Sequence, residues 1–175
     1  SSISRVNLIQ IPYVMKHSKL FISGGGSLIQ DNTSTRSLVY YLGMIWLAKK
    51  MKMKVMIYAN GIGPLNKKNN RNLTKHVVNE VDVITLREEL SYKELMDLNV
   101  TKPDIYVTAD PAFTIKAENS EHIDYLLESE GIDPTLPFIG FSVRRWNNHS
   151  KYELTLARIA DYIIDTYGIN VLFIP

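Results

Sequence analysis

"LFISGGGSLIQD", residues 20–31, runs a short apolar stretch straight into three glycines, a serine, more apolar residues and an aspartate. A strand that turns at once into a glycine loop reads as the start of a strand–helix unit. Gly24, Gly25 and Gly26 permit positive φ and let a ligand approach the backbone closely. Free N–H groups there, and at the next helix start, attract an anion. Taken alone, a tight turn and a phosphate cradle explain these glycines equally well. The spacing is not G-x-G-x-x-G: the third spaced glycine is absent, and no acid follows a second strand at the usual place. Asp31 suits a helix start or the capture of a substrate hydroxyl.

Outward from this stretch the alternation repeats. "KLFIS" (19–23) reads as a strand. Residues 34–53 read as a helix, capped by Thr33 or Ser34, with Leu38, Leu42, Ile45 and Trp46 on one face. "KVMIYA" (54–59) is a second strand, 60–72 a polar loop and 73–80 a short helix. "VDVITLR" (81–87) is a third strand, 88–98 a helix and "DIYVTAD" (104–110) a fourth strand. The strands are almost continuously apolar, which suits a parallel sheet covered on both faces. Right-handed crossovers then predict an α/β, Rossmann-like, doubly wound sheet of five or so strands. Loops 24–33, 60–66 and 87–91 would gather at one edge. After residue 116 a second unit opens. It has a helix over 117–137 stopped at Gly131, a strand "FIGFSVR" (138–144), a helix over 152–167 and a strand "NVLFI" (170–174). The helix over 152–167 would turn Leu156, Ile159, Ala160, Ile163, Ile164 and Tyr167 to one face. The domain reading is therefore 1–116, a Rossmann-like domain lacking its first part, and 117–175, a linker helix with the start of a truncated second α/β domain.

Composition narrows the class. The chain has 175 residues, 45% hydrophobic and 22% charged, with a net charge of +2, as in a soluble globular protein. Nothing in that charge asks for nucleic acid. Without cysteine there are no disulfides and no thiolate metal sites. The longest apolar run, 38–48, is too short to span a bilayer, and "SSISRVNLIQ" is not a signal peptide. The expectation is a cytoplasmic protein without metal or cofactor.

Further candidates sit at strand ends. Asn60, Gly61 and Gly63 in "NGIGP" follow the second strand, at the edge where open α/β sheets bind ligands. Arg87 ends the third strand and is either a binding residue or a surface ion pair. Asp110 fixes the turn before Pro111. Arg144 ends the strand "FIGFSV", where a planar guanidinium suits a phosphate or carboxylate. Arg145 points away, and Trp146 reads as packing. His17, His76, His122 and His149 lie on separate segments without ligand spacing. Lys67, Lys68, Arg71 and Lys75 read as a solvated face.

In order, "LFISGGGSLIQD", "YANGIGP", "VDVITLREELSYKEL", "VTADPAF" and "IGFSVRRW" resemble the polysaccharide pyruvyl transferase family, above all its bacterial cell-wall type. The resemblance implies a two-domain fold like glycosyltransferase B, with the site between the halves. It implies transfer of a pyruvyl unit from phosphoenolpyruvate to two sugar hydroxyls, forming a ketal on N-acetylmannosamine of a lipid-linked polysaccharide precursor. That ketal helps anchor S-layer proteins. Work on such a precursor places the enzyme at the inner face of the membrane. Arg144 matches the family's second-domain arginine and is the catalytic candidate. Gly24, Gly25, Gly26, Asp31, Asn60, Gly61, Gly63 and Arg87 are the substrate-binding candidates. The family's histidine-containing loop has no counterpart in these 175 residues, so this stretch by itself is expected to be inactive. A nucleotide-sugar glycosyltransferase and a non-catalytic polysaccharide-binding module remain alternatives. Oligomeric state is open, with an exposed strand edge favouring self-association.

Overall fold

Four apolar runs form one parallel sheet: β1 (Leu20–Gly24), β2 (Lys54–Asn60), β3 (Val83–Leu86) and β4 (Asp104–Val107), side by side in chain order. The structure is a computed structural model that describes residues 7, 10–117, 119–143 and 150–174. Helices α2 (Thr35–Lys50), α3 (Lys68–Val78) and α4 (Glu89–Asp97) connect the strands. An additional helix, α1 (Gln10–Lys16), precedes β1 and buries Met15. No element is expected there from the sequence; Pro12 falls in its first turn, where proline is tolerated. The chain divides into two compact units, Ser1–Ile115 and Lys116–Pro175.

Strand alternation decides what the first unit buries. The register aligns Phe21 with Val55, Ile57 with Ile84 and Ile84 with Ile105. These side chains meet Leu38, Leu42 and Ile45 of α2, Val77 and Val78 of α3, and Leu95 of α4 in one core. On the opposite face Leu20, Ile22, Tyr58 and Tyr106 are exposed. Right-handed crossovers between strands laid down in chain order put successive helices on the same side. Double winding requires the order to reverse, and among the described residues it does not. Both strand faces are apolar, so the sequence suggests two covered faces, where helices cover one among the described residues.

Two local expectations change. In α2 the buried positions are Leu38, Leu42, Ile45 and Ala48. Trp46 lies one position round the helix and is 48% exposed, with Lys50 Nζ 5.6 Å from its ring centroid. Ser34 is the cap, accepting the Ser37 N–H at 3.4 Å. Helix α3 starts at Lys68, inside the stretch read as loop. Its lysines and asparagines look like loop residues, yet Asn70 and Thr74 face inward with Val77 and Val78.

What holds the start of α3 is Asp31. Lys67, the N-cap, makes no side-chain cap bond. The buried Asp31 carboxylate instead accepts the backbone N–H of Asn66 at 2.9 Å and of Lys67 at 3.0 Å, and the Asn70 amide at 2.8 Å. It is the helix-start residue of a helix more than thirty positions away. Burial pushes the Asp31 carboxyl up, but these hydrogen bonds outweigh it and hold the pKa at about 2. Asp82 behaves alike. Burial opposes ionisation, while Lys49, the Val55 N–H and Lys54 bring its pKa to about 2.

Both folded values lie below the unfolded ones, so the stabilisation is complete above the unfolded pKa, roughly 4. It disappears as pH falls through the folded values. Denaturant melts are therefore expected to show a plateau at neutral pH and a loss of stability between about pH 4 and pH 2. Asp31→Asn combined with Asp82→Asn should flatten that acid limb.

The second unit holds α5 (Ser120–Ser129), β5 (Phe138–Ser142), α6 (Ser150–Tyr167) and β6 (Asn170–Ile174), with β5 and β6 paired in parallel. Asn119 caps α5 through the His122 N–H at 2.9 Å. Helix α5 ends at Ser129, and Gly131, the expected stop, follows at φ 76°. On α6, Ala160 is buried and Leu156 and Ile163 are half-buried. Ile159, Ile164 and Tyr167, expected on the same face, are exposed. Arg144, Arg145, Trp146 and His149 lie outside the described residues.

Candidate functional site

The carboxyl edge of the four-stranded sheet is shaped first by a bulge. The β2–β3 register shifts between Ile57 and Asn60, and Ala59 adopts φ 47°. A left-handed alanine costs about 1–3 kcal/mol. The Ala59 N–H is met by Thr85 Oγ at 2.8 Å. The extra residue turns Asn60 inward, as bulges do. Fully buried, its Oδ1 accepts the Leu28 N–H at 3.2 Å and its amide nitrogen reaches the Ser23 carbonyl at 3.5 Å. Asn60 thus pins the glycine loop to β1.

The loops after β1 and β2 are laced together. The Gly25 N–H donates to the Tyr58 carbonyl at 3.0 Å, Gly61 N–H to Gly26 at 2.9 Å, and Gly63 N–H to Ile29 at 2.8 Å. The two glycine loops therefore share one edge. Their glycines do different work. A Cβ on Gly24 would lie 2.8 Å from the Tyr58 carbonyl oxygen and 2.9 Å from Tyr58 Cβ. One on Gly61 would meet Ser27 Oγ at 2.7 Å and Glu88 Oε1 at 3.0 Å, and one on Gly63 would meet Glu94 Cγ at 3.0 Å. These three make room for the protein's own groups. Only Gly25 (φ 77°) and Gly26 (φ 69°) are open, with nothing within 4 Å of an added Cβ. The N–H groups of Gly26 and Ser27 find no acceptor among the described residues.

Gly24→Ala is therefore expected to destabilise by about 1–3 kcal/mol, because a backbone oxygen and a strand must move. Gly25→Ala meets only conformational strain, about 1–2 kcal/mol. Hydrogen exchange separates the two: Gly24→Ala should loosen protection of the β1–β2 ladder, and Gly25→Ala should leave it intact.

Arg87, at the end of β3, is the centre of the edge. Its guanidinium donates to Asp110 Oδ2 at 2.9 Å and to Ser27 Oγ at 2.9 Å, bridging the loops after β4 and β1. Asp110 also accepts the Ala112 N–H at 3.0 Å. That amide first, and the Arg87 guanidinium after it, hold the Asp110 carboxyl below its ordinary range against slight burial. Asp110 therefore fixes its turn, as the sequence suggests, and orients Arg87 as well. Glu88 is exposed; its Oε1 accepts from the Ser91 hydroxyl at 3.1 Å, and Ser91 Oγ in turn takes the Ile62 N–H at 2.7 Å.

Four strand ends thus bring together Ser27, Gly61, Arg87, Glu88 and Asp110 beside the open Gly25–Gly26 turn. The chemistry available is a planar cation, two backbone donors and a hydroxyl, all suited to an anion, with a carboxylate at hand to accept a proton. Of the sequence candidates, Gly24, Gly25, Gly26, Asn60, Gly61 and Arg87 meet here. Asp31 is occupied by α3, and Gly63 packs on Glu94. Ser27, Glu88 and the Arg87–Asp110 pair escape sequence reading, since Ser27 lies 60 positions from Arg87. His17, His76 and His122 stand on separate elements. No group of three or more metal-ligating side chains occurs among the described residues. No helix among them is long and apolar enough to cross a membrane.

The family model described as polysaccharide pyruvyl transferase matches residues 2–175. Searches of curated proteins and of solved structures found no match.

Proposed function

Since the chain belongs to the polysaccharide pyruvyl transferase family, we propose that it transfers the pyruvyl group of phosphoenolpyruvate to two hydroxyls of a sugar in a cell-wall polysaccharide precursor. The donor carries a phosphate and a carboxylate. Arg87 offers a fork for one of them, and the free N–H groups of Gly26 and Ser27 offer donors beside it. Arg144, matched to the family by motif, would hold the other.

In the first step a sugar hydroxyl adds to C2 of the enol as C3 gains a proton. In the second, another hydroxyl attacks C2, the bond to phosphate breaks and the ketal closes. Each hydroxyl gives up one proton. The first is balanced by the proton gained at C3, and the second leaves through a general base. Glu88 is the carboxylate placed to accept it. The acceptor we assign is an N-acetylmannosamine unit on a lipid carrier at the inner face of the membrane, its ketal serving S-layer attachment.

The observation that carries this reading is Arg87, held by Asp110 and Ser27 beside two unpartnered backbone donors. The test is phosphate release from phosphoenolpyruvate by the full-length protein, with and without the lipid-linked acceptor. Acceptor-dependent release is expected. Release from nucleotide sugars instead, or binding of polymer without any release, would overturn it.

A further inference from the structure

Between Asp31 and Glu80 the chain holds nine lysines and arginines and no aspartate or glutamate. This stretch contains α2 and α3. The asymmetry extends further: residues 1–115 carry 15 Lys and Arg against 9 Asp and Glu, whereas residues 116–175 carry 5 against 9. The first unit is thus strongly cationic, and the second is anionic.

Some of these cations are paired: Lys49 and Lys54 with Asp82, and Arg71 with Glu94. Arg36, Lys50, Lys52, Lys68 and Lys75 are exposed and make no ion pair among the described residues. Apolar side chains stand among them. Val39 and Trp46 on α2, and Leu73 on α3, are exposed, with Lys50 against the Trp46 ring. The two helices pack side by side, and a groove of about 310 Å³ is lined by Trp46, Lys49, Lys50, His76, Val77 and Glu80, the last of these lying beyond α3 and paired with Lys102.

An acid-free helical layer with cations around an exposed tryptophan has the composition of a surface that lies on an anionic bilayer. Tryptophan prefers the headgroup level, and lysines near the surface each add attraction to anionic lipid. We propose that the outer face of α2 and α3 docks this protein reversibly onto an anionic membrane surface. Both helices start at the carboxyl edge that bears the Gly25–Gly26 turn. With the layer flat on the bilayer, that edge lies beside the membrane rather than above it. The proposal goes beyond the transferase reading and does not depend on it.

The test is co-sedimentation of the full chain with vesicles of phosphatidylcholine alone or mixed with phosphatidylglycerol. Binding is expected only to the mixed vesicles, with release at high salt and a blue shift of tryptophan emission that Trp46→Phe removes. Each exposed lysine neutralised should weaken binding about fivefold, so Lys50→Gln, Lys68→Gln and Lys75→Gln together should cost about a hundredfold. None of these side chains belongs to the candidate site or the core, and thermal melts should be unchanged. Equal binding to both vesicle types, no vesicle binding, or a triple variant that binds like the parent would overturn the proposal. Retention by heparin without vesicle binding would also overturn it, pointing to a soluble polyanion.

Discussion

Arg87→Ala, introduced into the full-length protein, should lower kcat/KM for phosphoenolpyruvate by about thirtyfold to several thousandfold. Losing one partner of a hydrogen-bonded charge pair costs about 2–5 kcal/mol, and each 1.36 kcal/mol in a transition state is tenfold in rate. Arg87→Lys should recover only part of the loss, because an ammonium cannot span Asp110, Ser27 and an anion with one planar fork. Asp110→Asn should fall between, since it loosens Arg87 without removing it. Its loss should appear mainly as a raised KM, and it should add nothing in an Arg87→Ala background, the signature of two residues acting through one contact. Melting temperatures must stay close to the parent's for the comparison to hold. A near-normal efficiency in Arg87→Ala would place the donor's anion elsewhere, with Arg144 the next arginine to vary.

Asp31→Ala is expected to be among the most damaging changes to the fold. The Asn66 N–H, the Lys67 N–H and the Asn70 amide all lose their acceptor at once. An unsatisfied buried donor costs about 1–3 kcal/mol, and three adjacent donors with partial access to water should cost roughly 3–5 kcal/mol together. For a unit of this size that is a fall in melting temperature of roughly 10–25 °C. Asp31→Asn should be milder, keeping one acceptor oxygen. Since α3 depends on this carboxylate, hydrogen exchange over Lys68–Val78 should accelerate more than over α2. Uniform acceleration of both helices would show that Asp31 supports the unit as a whole instead of one helix start.

Legibility followed the reach of each interaction. The four strands were visible because apolar runs bounded by glycine or polar turns report local burial. Their shared carboxyl edge followed from parallel pairing, which placed Gly25, Gly61 and Arg87 together, whereas their unreversed order did not follow, because a right-handed crossover permits either direction of growth. The start of α3 was hidden because its capping group is Asp31, supplied from another segment, and because its inner face carries Asn70 and Thr74. Trp46 was misplaced because a period of 3.6 leaves two adjacent positions nearly equivalent, and core shape chose Ala48 over it. The open sheet face was illegible because Ile22 and Tyr58 are as apolar as Phe21 and Ile57. In the candidate site, Arg87 stood out by position. Its holders did not, because Ser27 and Asp110 are unremarkable residues whose meaning comes only from a guanidinium between them.

The uninterrupted strand order bears on how the polypeptide acquires its shape during translation. Among the described strands, β2, β3 and β4 each pair with the strand made just before them, so a nascent chain leaving the ribosome meets a finished template at each of these steps. From the start of β1 to the start of β2 is 34 residues, about 2–7 seconds of synthesis, ample time for a helix and a strand pairing to settle. A sheet with a switch point must hold a central edge open until a distant segment arrives. Among the described strands the growing edge advances in one direction, each new strand finding its partner already made.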